Sequence, residues 1–286
     1  MELIKTEYSD SKGNGKLDKV LLKCNEPNYY KLTEFLYTSQ NEQALILKAL
    51  YECDINVVLK FGILESIEKE YFISQELLDI PNFIRYFCLI KCNDNIKNII
   101  NHSNTISNYK MCHYGINPIG ILVMKEYDLG SVENYNWNIS NFEVLKNIIK
   151  QVIFAILYAY DNKGFIHGDL HSGNILLKPK RNDEIKYEKK NLILNEFEAV
   201  IMDFDSQSLD CNLAMREKSK LAQKNKMRYV VANILKFITS LEYGNNIKLN
   251  FDYDRNKLNS LKSSFNENIN YYEELENIID NMNIYE

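Results

Sequence analysis

The chain is poor in the features that mark several large protein classes. Its 286 residues hold only four prolines and ten glycines, too few for a Pro/Gly-rich linker or a fibrous repeat, and no internal repeat is visible. Positive charge does not dominate. Thirty-four Lys and Arg stand against 39 Asp and Glu, a net charge of -5, whereas a dedicated nucleic-acid binder is usually basic. No nucleic-acid partner is expected. Long apolar runs are also missing. The longest, Val152 to Tyr160, is about half the length a membrane-spanning helix needs, so no membrane partner is expected either. The first sixteen residues, MELIKTEYSDSKGNGK, lack the apolar core of a secretory signal. The six cysteines, Cys24, Cys53, Cys88, Cys92, Cys112 and Cys211, include no C-x-x-C pair, which suggests free thiols in a reducing compartment. These absences together point to the cytoplasm or nucleus rather than to secretion.

What is present supports a folded enzyme-sized body. A hydrophobic content of 45% is ordinary for a globular chain with a sizeable core, and the length suits one large domain or two lobes sharing a cleft. Residues 1–30 are polar, with a Gly13-Asn14-Gly15 turn signal, and read as an extension or a loose first hairpin. Three strands are expected over Thr33–Tyr37, Ala44–Tyr51 and Asn56–Phe61, because apolar and β-branched residues cluster there. Helical spacing of Ile67, Tyr71, Ser74, Leu77 and Leu78 follows over 63–79. Pro81-Asn82 stops that helix, and Phe83–Lys91 reads as a strand.

The Asn-, Ser- and His-bearing stretch 93–118 reads as a long loop or an insertion. Ile119–Tyr127 is expected as a strand and 128–131 as a bend. Phe142–Asn162 carries a broad apolar stripe, and Gly164 follows where a left-handed cap is favoured. Residues 178–197 are charged and read as a protruding hairpin. Arg216–Lys226 is a charge run, read as a solvated face. Tyr229–Leu241 and one or two segments within 255–284 complete a helical second half. Strands first and helices later make the chain α+β in two lobes, with boundaries expected at 1–30, 31–127 and 128–286.

The chemistry gathers in two short segments. His167-Gly168-Asp169-Leu170-His171-Ser172-Gly173-Asn174 runs into the apolar strand Ile175 to Leu177, and Val200-Ile201-Met202-Asp203-Phe204-Asp205 follows later. A carboxylate, an amide and a second carboxylate are what phosphoryl transfer from Mg·ATP requires. One Asp takes the acceptor's proton, and the Asn and the other Asp hold Mg²⁺, a hard cation that takes oxygen ligands. The segments resemble the protein-kinase signatures H-R-D-L-x-x-x-N and D-F-G, and the chain is identified on them as a member of the protein-kinase-like superfamily. The implied fold is bilobal, a small mostly-β N-lobe on a mostly-helical C-lobe. The implied catalytic base is Asp169, with Asn174 and Asp203 as metal ligands and ATP and Mg²⁺ as cofactors.

The resemblance extends further. Val57-Val58-Leu59-Lys60 is similar to V-A-I-K, so Lys60 is the implied phosphate clamp and Glu70 its partner on the helix, with Glu68 as fallback. Residues 70–83 resemble the helix-to-strand segment of casein-kinase-type enzymes. A competing register through Lys23 and Glu42 fails because Pro81-Asn82-Phe83 should directly follow the helix bearing the glutamate. Thr38, Gln40 and Gln43 stand where the family's phosphate loop has glycines. Leu45 and Val58 are the implied roof over an adenine and Leu176 its floor. Glu126 and Tyr127 look like the hinge, with Met124 or Lys125 gating the pocket.

Three departures qualify the match. Gly168 replaces the arginine of H-R-D, Asp205 replaces the glycine of D-F-G, and no A-P-E follows. His171 stands where many kinases carry lysine and is counted among the implied catalytic residues; the haspin-like kinases share this D-L-H. The resemblance implies an atypical serine/threonine protein kinase, with a large DNA virus one reading of its source. Its acceptor is a hydroxyl, protein Ser/Thr favoured. The alternatives are an aminoglycoside- or choline-kinase-like small-molecule kinase and a pseudokinase binding module.

Overall fold

The computed structural model describes residues 30–38, 44–51, 55–91, 113–114, 117–188, 190–204, 220–242, 250–263 and 269–285. Residues 1–29 of the expected extension, the loop positions Gln40 and Gln43, Asp205, most of the stretch 93–118, residues 216–219 of the charge run and every cysteine except Cys88 lie outside the described residues. The fold is mixed α+β and divides into two compact units, residues 1–72 with 85–126, and residues 73–84 with 127–286.

The first unit is built on strands β1 (Tyr30–Thr38), β2 (Ala44–Tyr51) and β3 (Ile55–Ile63), helix α1 (Leu64–Glu76, of which residues up to Phe72 belong here), and strands β4 (Tyr86–Lys91), β5 (His113–Tyr114) and β6 (Asn117–Lys125). The sheet order is β1-β2-β3-β6-β4, with the short β5 pairing against the start of β6. Side chains alternate between the two faces of a strand. Leu45, Leu47, Ala49, Tyr51, Val57, Leu59 and Phe61 therefore fall on one face and form a core with Cys88, Ile90, Ile119, Ile121 and Val123. The register pairs Leu45 with Phe61 and Ile46 with Lys60, which puts Ile46, Lys48, Val58 and Lys60 on the other face.

Helix α1 approaches that second face closely. A Cβ at Gly120 would lie 2.9 Å from Ile67 Cγ2 and 3.0 Å from Leu64 Cδ1. Only a residue without a side chain lets the helix sit that near. The expectation of six free thiols fails at Cys88, which is disulfide-bonded. Spacing along the chain says nothing about which sulfurs meet in space.

The second unit carries α2 (Phe142–Lys163), β7 (Ile175–Pro179), β8 (Glu184–Tyr187), β9 (Lys190–Ile193), β10 (Phe197–Ile201), α3 (Lys220–Glu242), β11 (Asn250–Asp252), α4 (Arg255–Ser263), α5 (Tyr271–Asp280) and β12 (Asn283–Tyr285). Strand β7 pairs antiparallel with β10, β8 with β9, and β11 with β12. Helix α2 is the axis. Leu145, Ile148, Ile149, Val152, Ile153, Ile156 and Leu157 are at most 1% exposed. Burying each such side chain stabilises by roughly 1.5–3 kcal/mol as an upper estimate, so packing rather than propensity holds this helix. It ends on Gly164 at φ 66, whose N–H reaches the Tyr160 carbonyl at 2.8 Å.

Two expectations need correction. The hairpin β8–β9 does not protrude. Ile185, Tyr187 and Leu192 are buried, and the Tyr187 hydroxyl donates to Asn82 Oδ1 and lies 3.3 Å from the Gln151 carbonyl. The intervening Glu and Lys residues hide an apolar face of period two. The strand expected from Phe83 begins at Tyr86. Asn82, at φ 67, turns the chain so that Phe83 forms a lone parallel bridge with Ile201 instead. Among the described residues no helix is long and apolar enough to cross a membrane.

Candidate active site

In the first unit, β3 runs into α1 with no connecting residue, Ile63 being followed by Leu64. That continuity brings Lys60 Nζ within 2.7 Å of Glu70 Oε2, with side chains 12% and 5% exposed. The second Glu70 oxygen, Oε1, accepts the Tyr86 hydroxyl proton. Two charges so far from water persist only when paired and hydrogen-bonded. Glu68, the fallback partner, is taken by Lys91 at 2.7 Å. Val58 pairs with Met124 and Val57 with Lys125, so Met124 shares the face of Lys60 and Lys125 points the other way. Leu45 does not share it either; it is 1% exposed in the opposite core, while its neighbour Ile46 pairs with Lys60 and lies on the Lys60 face. Thr38 ends β1. Glu126 binds Lys48 at 2.8 Å.

In the second unit, the chain leaves α2 and lays the segment 165–174 against the end of β10. His167 is fully buried and connects the pieces. Its Nε2 meets the Met202 carbonyl at 2.9 Å, and its Nδ1 accepts the Asp169 N–H at 3.3 Å. A ring whose Nδ1 accepts must carry its proton on Nε2. Burial pushes the His167 pKa down to about 4, against the opposing pull of the Met202 carbonyl and of the Asp203 and Asp169 carboxylates. Gly168 has φ 83, a backbone region strained for any residue with a Cβ, so an arginine has no comfortable place there.

Asn174 closes the loop. Its Nδ2 donates to the Asp169 carbonyl at 3.0 Å, and its own carbonyl accepts the Met202 N–H at 3.0 Å. The amide is thereby oriented with its nitrogen used, and its oxygen is the end suited to a hard cation. Asp203 follows Met202 directly and takes φ 62, a left-handed conformation that Asp tolerates better than most residues. Phe204, 3% exposed, packs on Phe83, Phe165 and His167 and fixes that turn. Among the described residues no group of three or more His, Cys, Asp and Glu is placed to hold a metal ion. One amide and one carboxylate suit Mg²⁺, which retains waters and takes phosphate oxygens.

Asp169 itself is half-exposed. The ammonium of Lys236, on α3, pairs with its Oδ1, and His171 Nε2 stands 3.8 Å from its Oδ2. That last distance is too long for a hydrogen bond. The His171 ring is turned by its own Nδ1, which accepts the Gly173 N–H at 3.1 Å. Helix α3 touches the loop again one turn on, where Ser240 Oγ accepts the Ser172 N–H at 2.8 Å. Leu176 lies on β7, and Tyr127 closes a turn to Gly130 through its carbonyl at 3.0 Å.

The supporting residues escaped sequence reasoning. Asn82, Gln151 and Tyr187 form a buried network: Asn82 Nδ2 donates to Gln151 Oε1 at 3.2 Å and to the Ala199 carbonyl at 2.8 Å, while Gln151 Oε1 also accepts the Ala199 N–H at 2.7 Å. This ties β10, and so Asp203, to α2. The one signal was Pro81-Asn82, legible as a helix stop but not as an anchor. Lys236 and Ser240 gave none, since Tyr229–Leu241 reads only as one more helix of the second half.

No protein-family model matches this chain, and no curated protein matches it.

Proposed function

We propose that the chain is an ATP-dependent phosphotransferase of the protein-kinase-like superfamily, its two units being the small nucleotide-binding lobe and the helical catalytic lobe. One observation carries the reading: the three hydrogen bonds Asn174 to the Asp169 carbonyl, Met202 to the Asn174 carbonyl and His167 to the Met202 carbonyl bind the segments of Asp169, Asn174 and Asp203 into one piece. A scaffold has no physical need for that trio.

In this reading Asp169 takes the proton of the acceptor hydroxyl. The hydroxyl oxygen then bonds to the γ-phosphorus while the bond to the β,γ-bridging oxygen breaks, and ADP leaves with the electron pair. Lys60, held by Glu70, pairs with the α- and β-phosphates. Bound Mg²⁺ screens the phosphate charge, and Asn174 and Asp203 are the residues that would hold it. His167 serves by positioning, since both ring nitrogens are engaged with backbone.

The favoured acceptor is a protein Ser or Thr hydroxyl. A small amino-alcohol or aminoglycoside acceptor is the second reading, and one observation favours it: Gly168 at φ 83 leaves no arginine to read a phosphorylated loop, as a regulated protein kinase does. The test is transfer of γ-labelled phosphate from Mg·ATP to generic protein substrates and, in parallel, to aminoglycosides and amino alcohols. Label on protein supports the first reading and label on small acceptors the second. No label on any acceptor, no ATP hydrolysis and no Mg·ATP binding would overturn both.

A further inference from the structure

We infer that Lys236, far from the loop in sequence, is a further catalytic residue whose ammonium meets the phosphoryl group in flight. The inference rests on the phosphotransferase reading and assigns a role that reading left open.

Three observations lead there. First, residues 167–177 contain no lysine or arginine, yet phosphoryl transfer spreads negative charge over three oxygens beside the catalytic carboxylate. His171 does not fill the gap: its Nδ1 is engaged by the Gly173 N–H, and its Nε2 stands 3.8 Å from Asp169, too far for a hydrogen bond. Second, Lys236 pairs with Asp169 Oδ1 across 67 residues of sequence. Third, α3 is registered on the loop one turn further along, through Ser240 to the Ser172 N–H. Residues four apart share a helix face, so the contact that holds the loop also aims Lys236.

The pair is not there for stability. Its side chains are 54% and 48% exposed, and an exposed ion pair of this kind contributes little to folding. Exposure also means that a ligand can reach it. In the resting chain the ammonium occupies Asp169 Oδ1, leaving Oδ2 for the acceptor hydroxyl. When the donor is bound, the ammonium donates to a non-bridging γ-oxygen and keeps its proton throughout. The hydroxyl proton goes to Asp169, the new O–P bond forms, the old one breaks, and ADP departs with the electrons. Lys236 changes partner without changing charge.

The test uses the full chain with Lys236→Met and Lys236→Arg, read by turnover and by binding. Mg·ADP with aluminium fluoride, which imitates the transferring phosphoryl group, should raise the wild-type melting temperature beyond Mg·ADP alone. Lys236→Met should keep the Mg·ADP shift and lose the extra one. It should also lower kcat by about 10²–10³-fold, as loss of one preorganised donor does, with KM for ATP moving less than about threefold. Lys236→Arg should recover part of both. A Lys236→Met chain with wild-type kcat and the full extra shift would overturn the role of Lys236 alone. So would one that melts well below wild type and loses the Mg·ADP shift too, because that marks a structural residue. A wild-type chain with no Mg·ADP shift and no transfer would instead overturn the phosphotransferase reading, and this role with it.

Discussion

His167 donates from Nε2 to the Met202 carbonyl at 2.9 Å. With Nδ1 accepting the Asp169 N–H, the buried ring can stay only in its neutral form, and burial pushes its pKa down to about 4. An unfolded histidine titrates near 6.5. Between those two values the unfolded chain binds the extra proton, so stability rises with pH across the window and is lost as pH falls through it. The loss on going from neutral pH to pH 4 should be about 3 kcal/mol from this residue. Urea melts from pH 7 to pH 4 should show it, and His167→Gln should reduce the slope by about one proton. An unaltered slope would exclude His167 as its source.

Breaking the Lys60–Glu70 pair from one side should be costly. Lys60→Met deprives a nearly buried Glu70 of its ammonium, at a cost of about 3 kcal/mol or more. Lys60→Met with Glu70→Leu should recover part of that. Lys69→Met, which removes an exposed pair with Glu65, should change stability far less than Lys60→Met does. A double-mutant cycle in urea measures all of these, and a Lys60–Glu70 coupling near zero would contradict the buried-pair account. If the chain is the proposed phosphotransferase, turnover of folded Lys60→Met should fall by orders of magnitude.

In the phosphotransferase reading, Asp169→Asn separates binding from chemistry. The amide keeps the shape of the side chain but takes no proton. Mg·ATP affinity by calorimetry should stay within about twofold, while turnover falls by about 10²–10⁴-fold. Turnover equal to wild type would remove Asp169 as the base.

Asp203 sits at φ 62, so its replacement by glycine is informative. Relief of the left-handed strain roughly offsets the greater freedom of glycine in the unfolded chain, and stability should change by less than about 1 kcal/mol. Mg²⁺-dependent nucleotide binding should nevertheless disappear. A Mg²⁺ titration indistinguishable from wild type would refute the ligand role.

Much of the fold was legible because it depends on local periodicity. The three strands from β1 to β3 and the helix over 142–163 follow from alternation of two and from spacing near 3.6, and Gly164 stops the helix for a reason internal to glycine. The buried face of β8–β9 was missed because Glu184, Lys186 and Lys190 outweighed Ile185, Tyr187 and Leu192 in composition, while the alternation that mattered spanned only four residues per strand. The start of β4 was missed because a left-handed Asn82 redirected Phe83 to Ile201, and a bridge across more than a hundred residues leaves no mark on nearest neighbours. Leu45 was misplaced by one residue of strand register, and one residue is a change of face.

The amino-acid sequence on its own determined which reactive groups this protein has and how tightly they are spaced along the chain: Asp169 and Asn174 in one short loop, Asp203 at a strand end, and Lys60 ten residues before Glu70. Only the tertiary structure decided who holds whom. Glu70 rather than Glu68 takes Lys60, Asn82 and Gln151 anchor β10, and Lys236 reaches Asp169 from a distant helix. Spacing is a property of bonds between neighbours, whereas an ion pair across 67 residues exists because apolar faces elsewhere pack and carry the two charges to the same place.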